Sequence, residues 1–498
     1  MLFNSYIFIF IFLPITIIGW YGLNKLYHPS FAFAFLTGMS LWFYGYFNPS
    51  YMLIIISSIL VNYFISFLLD KAGNEMHRKI LFYAGLVFNL GLLFVFKYYD
   101  FFIENINAVF KTGFALKYIV LPLGISFFTF QQLSFIIDRY KGKAKHYSFL
   151  KYSTFVTFFP QLVAGPIVLY DEIMPQFEDK ANRIFNYENF VKGFWLFVVG
   201  LSKKVLLADV LAIVVNYGYD NVGLLDSPSA LFVAILYAFE LYFDFSGYSD
   251  MAMGLGRMFN IIIPQNFNSP YKASSMKELW QRWHITLSRF FVNYVYIPLG
   301  GSRKGKARAL ANVFIIFMLS GIWHGANWTF VIWGILQGLA VMFDNLYLIG
   351  VKRDGQKKQP KIGIPKLLGQ FITFNYFAFS FVVFRSENLS VALQMFRNIF
   401  SFRITGCFNR FLPLMDLPEI YIFKQAINMF RPDLLNGLYW LTLLMYFAIS
   451  IFVITRKNAL QMINLDNMKI RNYALVVVLF VLSVISFSQV STFIYFNF

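Results

Sequence analysis

Apolar residues recur along the chain in runs long enough to cross a bilayer, which takes roughly 17–25 residues of helix. The runs lie at about residues 5–23, 31–47, 51–69, 80–96, 118–137, 150–170, 192–215, 229–247, 309–323, 327–346, 366–385, 437–455 and 472–490. Some are short or interrupted. The pattern predicts an all-α polytopic membrane protein with about 11–14 transmembrane or re-entrant helices. The opening Met1-Leu2-Phe3-Asn4-Ser5 has no basic region before its apolar run, so it reads as a first span and not as a removed signal peptide.

Polar positions between the runs set an orientation, because loops rich in Lys and Arg stay in the cytoplasm. Lys25 follows the first run, Lys71, Arg78 and Lys79 the third, and Arg139, Lys141, Lys143 and Lys145 the fifth. The N-terminus is therefore expected outside. The acidic stretch 171–191 then falls on the outer face, and the count requires one further crossing between 250 and 300. Two later clusters are expected inside: Arg303, Lys304, Lys306 and Arg308, then Lys352, Arg353, Lys357, Lys358, Lys361 and Lys366. Residues 386–436 form the longest hydrophilic excursion, expected outside and too short and mixed for an enzyme domain of its own. Arg456, Lys457, Lys469 and Arg471 mark a last cytoplasmic loop, leaving the C-terminus outside.

Basic clusters on both flanks make 309–346 a hairpin with its apex near 321–327. The apex reads Ser320-Gly321-Ile322-Trp323-His324-Gly325-Ala326-Asn327-Trp328. Its glycines allow close backbone approach and its indoles can wall a pocket. An ionisable group at membrane depth is a functional-site hypothesis, and imidazole titrates near neutrality. A structural hydrogen-bonding role and a functional one both fit His324.

Composition strengthens the membrane reading. The chain of 498 residues is 58% hydrophobic and 13% charged, where soluble proteins carry about 25% charged residues. Aromatics make up 21%, with 64 Phe, more than interfacial belts need. Net charge of +18 follows from cytoplasmic loops, and no nucleic-acid partner is expected. One cysteine, Cys407, excludes an intramolecular disulfide and a cysteine metal cluster, and no metal site is expected. The chain has no serine-hydrolase elbow, His-Glu-x-x-His, phosphate loop or complete dinucleotide fingerprint.

Other polar groups interrupt the apolar runs. His284 lies in Trp280-Gln281-Arg282-Trp283-His284-Ile285-Thr286-Leu287-Ser288, a block too polar to span, which suggests an interfacial or re-entrant helix. Asp244 and Asp250 fit paired structural charges better than catalysis. Gln131, Gln132 and Gln161 are further polar groups at depth. Lys203 and Lys204 either snorkel to an interface or line a cytoplasmic entrance, with snorkelling the simpler reading.

Several blocks together resemble the membrane-bound O-acyltransferase family, in its bacterial alginate O-acetyltransferase-like branch. They are Phe158 to Ile167, Asp244 to Asp250, Asn266-Phe267-Asn268-Ser269-Pro270-Tyr271, Trp280 to Ser288, Tyr296 to Gly301, and Trp323-His324-Gly325. The resemblance implies helices around a central cavity in one multipass domain over 1–498, with 120–346 as the motif-bearing core and 347–498 as C-terminal helices and loops. It implies a catalytic pair, His324 and His284, with His284 on the cytoplasmic side of a passage through the membrane. Trp323, Asn327, Asp244, Gln161, Trp283 and Arg282 are the substrate-contacting candidates, Asn327 as a support for the imidazole or for the acyl carbonyl. No bound cofactor is implied. The donor would be acetyl-coenzyme A or another acyl thioester, whose phosphates the Arg303–Arg308 loop could attract. The acceptor would be an extracytoplasmic polysaccharide or cell-wall sugar, reached from the inner membrane and its lipid with an exported acyltransferase partner. Two rivals are a D-alanyl transfer protein for teichoic acids and a non-catalytic transporter.

Overall fold

The computed structural model describes residues 1–351, 365–463, 470–489 and 493–494. Lys352, Arg353, Lys357, Lys358, Lys361 and Lys469 lie outside the described residues. Every regular element among the described residues is helical. Eight helices combine the length and hydropathy to cross a membrane: Phe8–Leu26, Ser50–Lys71, Glu75–Phe110, Ser227–Met258, Lys306–His324, Trp328–Leu346, Lys366–Arg385 and Pro432–Thr455. Pro29–Gly45 and Ile470–Ile485 are shorter apolar helices.

The Ser227–Met258 helix is the axis of the molecule, with 83% of its apolar window buried. The Tyr187–Ser202 helix lies against it with glycine facing glycine. A Cβ on Gly193 would sit 2.6 Å from the Gly254 carbonyl oxygen, and one on Gly247 2.7 Å from that of Gly200. Small residues let the two backbones touch, the closest packing helices in a membrane can reach. Just past Gly200 the chain makes a π-helical turn, Lys203–Ala208, which aims two lysines inward. They do not snorkel. Lys203 pairs with Asp250 at 2.6 Å, and Lys204 with Asp244 at 2.6 Å and Asp209 at 2.7 Å. Buried ions of opposite sign satisfy one another where water is absent.

Two expected spans are corrected. The run at 150–170 does not cross: the Phe149–Thr157 helix stops at Phe158 and a single turn, Phe159–Leu162, follows. Pro160 lacks a donor N–H, and a Cβ on Gly165 would lie 2.5 Å from the Gln161 Cα, so the chain folds back on itself. The run at 118–137 is helical only from Ile125, after Gly124 in the left-handed region (φ +70°). Residues 112–122 are irregular; most of 112–120 is exposed, and Leu121 and Pro122 at its end line a pocket.

Losing one crossing reverses the expected side of 171–191. Lys151 pairs with Glu178 at 2.6 Å, and Arg289 grips Glu172 through two bonds. Asn260 donates to the Ile184 carbonyl at 2.8 Å, and Tyr21 to that of Met258 at 2.8 Å. The acidic stretch therefore shares a face with the basic loops and meets their charges. No further crossing exists between 250 and 300: the chain there runs through short helices, Met276–Trp280 and Ile285–Phe291. The same face gathers Lys272 on the Arg456 carbonyl at 2.6 Å and Asp344 on the Lys277 amide at 2.8 Å. At the opposite face Arg385 reaches Asn216 at 2.9 Å, and Ser227 N donates to the Arg403 carbonyl at 2.9 Å. The 309–346 hairpin thus has both ends on the basic face and its apex toward the other.

Candidate functional site

His324 is the last residue of the Lys306–His324 helix and is 4% exposed. The hairpin closes tightly beneath it, because a Cβ on Gly321 would meet the Phe330 carbonyl oxygen at 2.4 Å and the Gly334 Cα at 2.9 Å. Gly325 then leaves in extended backbone, against the Phe330 ring. Aromatic rings surround the imidazole, among them Trp323 at 4.9 Å, Trp333 at 5.1 Å and Phe384 at 5.2 Å between centroids.

His284 is fully buried, at 0% exposure, and stands in the left-handed region (φ 46°) immediately before the Ile285–Phe291 helix. The block around it is thus a re-entrant turn inside the protein and not an interfacial helix. Its Nδ1 lies 3.1 Å from Asn266 Oδ1. That oxygen also accepts from the Thr286 amide at 3.2 Å and from the Thr286 hydroxyl at 2.9 Å. A backbone N–H only donates, so the Asn266 atom is an acceptor and His284 Nδ1 carries the proton. Nε2 is left with its lone pair, and no hydrogen bond reaches it among the described residues. The His284 ring stands 4.7 Å from Phe245 and 6.0 Å from Trp323. Both imidazoles therefore touch one indole.

Two cavities approach this core. A narrow one of about 30 Å³ is lined by His324, Trp323, Lys97, Val163 and residues 121–127. A larger one of about 330 Å³ extends from Lys277 and Asn345, near the basic face, past Trp280 and Gln281 to Ser320. Ser320 lies one helical turn before His324, on the same side of the helix.

Of the other candidates, Trp323 alone joins the two histidines. Asn327 is engaged with backbone: its amide donates to the Glu387 carbonyl at 2.8 Å and its oxygen caps the Thr329 N–H at 3.0 Å. Asp244 holds Lys204 and the Ile494 amide at 2.9 Å. Gln161 donates to the Phe155 carbonyl at 2.8 Å. Trp283 packs 5.1 Å from both Phe267 and Phe377. Arg282 pairs with Glu278 at 2.9 Å and donates to the Asn268 carbonyl at 3.2 Å. The residue the sequence reading passed over is Lys97, which lines the narrow cavity beside His324. A lone lysine closing an otherwise apolar run was the available signal.

Comparison with known proteins agrees with this architecture. The family model described as MBOAT, membrane-bound O-acyltransferase family, matches residues 114–383. The chain is 40% identical over 425 residues to a peptidoglycan O-acetyltransferase of Helicobacter pylori, covering 80% of each chain. It is 35% identical over 414 residues to a probable alginate O-acetylase AlgI of Pseudomonas aeruginosa, covering 81% of this chain and 75% of that one. A teichoic acid D-alanyltransferase of Streptococcus thermophilus is 30% identical over 281 residues, covering 53% of this chain and 68% of its own.

Proposed function

The chain belongs to the membrane-bound O-acyltransferase family, and from that premise we propose that it moves an acetyl group from cytoplasmic acetyl-coenzyme A to a hydroxyl of an extracytoplasmic cell-wall glycan. Membrane O-acyltransfer is the activity of its family and of its similar relatives. The observation that carries the finer reading is His324 at the wall of the narrow cavity, caged by aromatic rings. Its imidazole takes the proton of the acceptor hydroxyl as the oxygen attacks the acetyl carbonyl, then passes it to the departing thiolate. An ester C–O bond forms, the C–S bond breaks, and the thiol leaves with the proton. His284, with Nδ1 committed to Asn266, offers a basic Nε2 toward the same core. Trp323 lies against both rings as a wall for the acyl group.

The donor enters from the face that carries the basic loops, which positive-inside bias makes cytoplasmic. The cavity ending at Ser320 is its approach, and the narrow cavity is that of the acceptor. The protein then sits in the inner membrane as one multipass domain over 1–498, with 120–346 carrying the chemistry and 347–498 completing the bundle. An exported partner completes delivery to the polymer. The higher identity to the peptidoglycan enzyme than to the alginate one, 40% against 35%, favours a cell-wall sugar. Mild base applied to purified wall tests all of this: the wild-type protein should yield acetate and not D-alanine, and His324→Ala should yield neither while remaining abundant in the membrane. Release of D-alanine, or acetate from the His324→Ala strain, would overturn the reading.

A further inference from the structure

The helix that carries His324 ends inside the protein, with His324 itself 4% exposed. An α-helix leaves its final C=O groups without partners of its own, and at membrane depth they must be met. Gly325 departs in extended backbone (φ −166°, ψ 154°), so no local turn closes the end. Three consecutive carbonyls are met instead by two adjacent side chains from another helix. Tyr98 Oη donates to the Ile322 oxygen at 3.0 Å, and Lys97 Nζ to those of Trp323 at 2.7 Å and His324 at 3.0 Å.

Lys97 and Tyr98 belong to the π-helical turn Phe94–Tyr98, which joins the Glu75–Leu93 helix to Tyr99–Phe110. Such a turn inserts one residue and re-aims its side chains, and π-turns recur at functional sites. Here it delivers an amine that donates to the carbonyl end of the helix. The amine also lies 5.9 Å from the Trp323 ring centroid and lines the narrow cavity with His324.

We propose that Lys97 is a positioning residue for acyl transfer: by tying down the Trp323 and His324 carbonyls it sets where the His324 imidazole stands in the cavity. The inference rests on the reading of His324 as the base. Misplacing a reacting group by about 1 Å costs on the order of 10²-fold in rate. Lys97 does this through the backbone, so its loss should appear in turnover and spare the use of donor.

The test uses the full chain in proteoliposomes together with its exported partner, with acetyl-coenzyme A as donor and soluble peptidoglycan strands as acceptor. Lys97→Met should lower kcat on the order of 10²-fold with the donor KM changed by less than about threefold. Lys97→Arg, which can still donate to two neighbouring carbonyls, should recover most of kcat. Tyr98→Phe removes the third bond alone and should stay within about threefold of wild type. A folded Lys97→Met with wild-type kcat overturns the proposal, as does a Tyr98→Phe defect equal to it, which would indicate generic helix capping. If Lys97→Met does not fold, Lys97→Gln keeps an uncharged amide donor on a shorter stem: reduced kcat at unchanged KM supports the role, and wild-type kcat refutes it. His324→Ala in the same assay separates the two claims. Its activity would sink the assignment of the base, whereas an inactive His324→Ala beside a fully active Lys97→Met sinks the positioning role alone.

Discussion

His284 and His324, 40 positions apart in sequence, are neighbours of a single side chain: the Trp323 indole lies 6.0 Å from one ring and 4.9 Å from the other. A fully buried His284 cannot simply shape the mouth of a donor entrance. His284→Ala should therefore reduce turnover on the order of 10²-fold and leave the acetyl-coenzyme A concentration at half-maximal rate nearly unchanged. Asn266→Ala should cause a smaller loss of the same kind, since it frees the His284 tautomer without removing the ring. A donor titration in proteoliposomes checks both. A variant rescued by added donor would return His284 to the entrance.

Much of this arrangement was legible in sequence, and the parts that were not share a cause. The glycine-flanked His324 motif and its hairpin could be read because both depend on near neighbours in the chain. The segment 150–170 could not, because a run buried in protein and a run facing lipid have the same composition. Phe155, Phe158 and Leu162 are all at 0% exposure, so their apolarity reports burial and not a crossing. That one misreading carried 171–191 to the wrong face. Lys203 looked like a snorkelling residue because its partner Asp250 is 47 positions away, and Lys204 because its inward turn toward Asp244, 40 positions away, depends on the π-helical turn that also brings Asp209 to it. The hold of Lys97 on the His324 carbonyl spans 227 positions, beyond any local pattern.

The corrected topology has a direct consequence for labelling. With Cys407 replaced by Ser, single cysteines at Lys180 and Ser302 should react with an impermeant maleimide only after the membrane is opened. A cysteine at Thr405 should react without opening it, because Thr405 belongs to the face opposite the basic loops through its amide bond to Asp226 at 2.8 Å. Labelling of Lys180 and Ser302 from different sides would restore a crossing between them and break the fold described above.

Asp226 fastens the face opposite the basic loops. It precedes the Ser227–Met258 helix, caps the Ser229 N–H, and accepts from the amides of Thr405 at 2.8 Å and Cys407 at 3.3 Å. Burial pushes its carboxyl up, but the bonds from Ser229, Thr405 and Cys407 outweigh burial and hold it down to about 2. The unfolded value is about 3.9. A carboxyl depressed in the folded state stabilises fully above the unfolded value, and that contribution fades as pH falls toward the folded one. The loop that carries Thr405 and Cys407 should loosen between about pH 4 and pH 2. Hydrogen exchange of the Thr405 and Cys407 amides should accelerate there beyond the intrinsic pH trend. Asp226→Asn should abolish this acid step and show weaker protection at neutral pH. An acid step unchanged in Asp226→Asn would assign it to another group.

The pair Lys203–Asp250 joins the two helices that also meet through Gly200 and Gly247, at 2.6 Å with both side chains 10% exposed. Removing one member of a buried pair strands the other charge, at a cost of about 3–5 kcal/mol. Replacing both with apolar groups removes the stranded charge and is often close to neutral. Lys203→Met and Asp250→Leu should each lower the melting temperature of the detergent-purified protein sharply. The double variant should then be more stable than either, giving a coupling energy of about 2 kcal/mol or more in the double-mutant cycle. Acetyl transfer per folded molecule should stay within about threefold of wild type in the double variant, since the pair touches neither histidine. Additive losses of stability would mean the two groups act separately. A folded double variant without activity would move this pair from the scaffold into the chemistry.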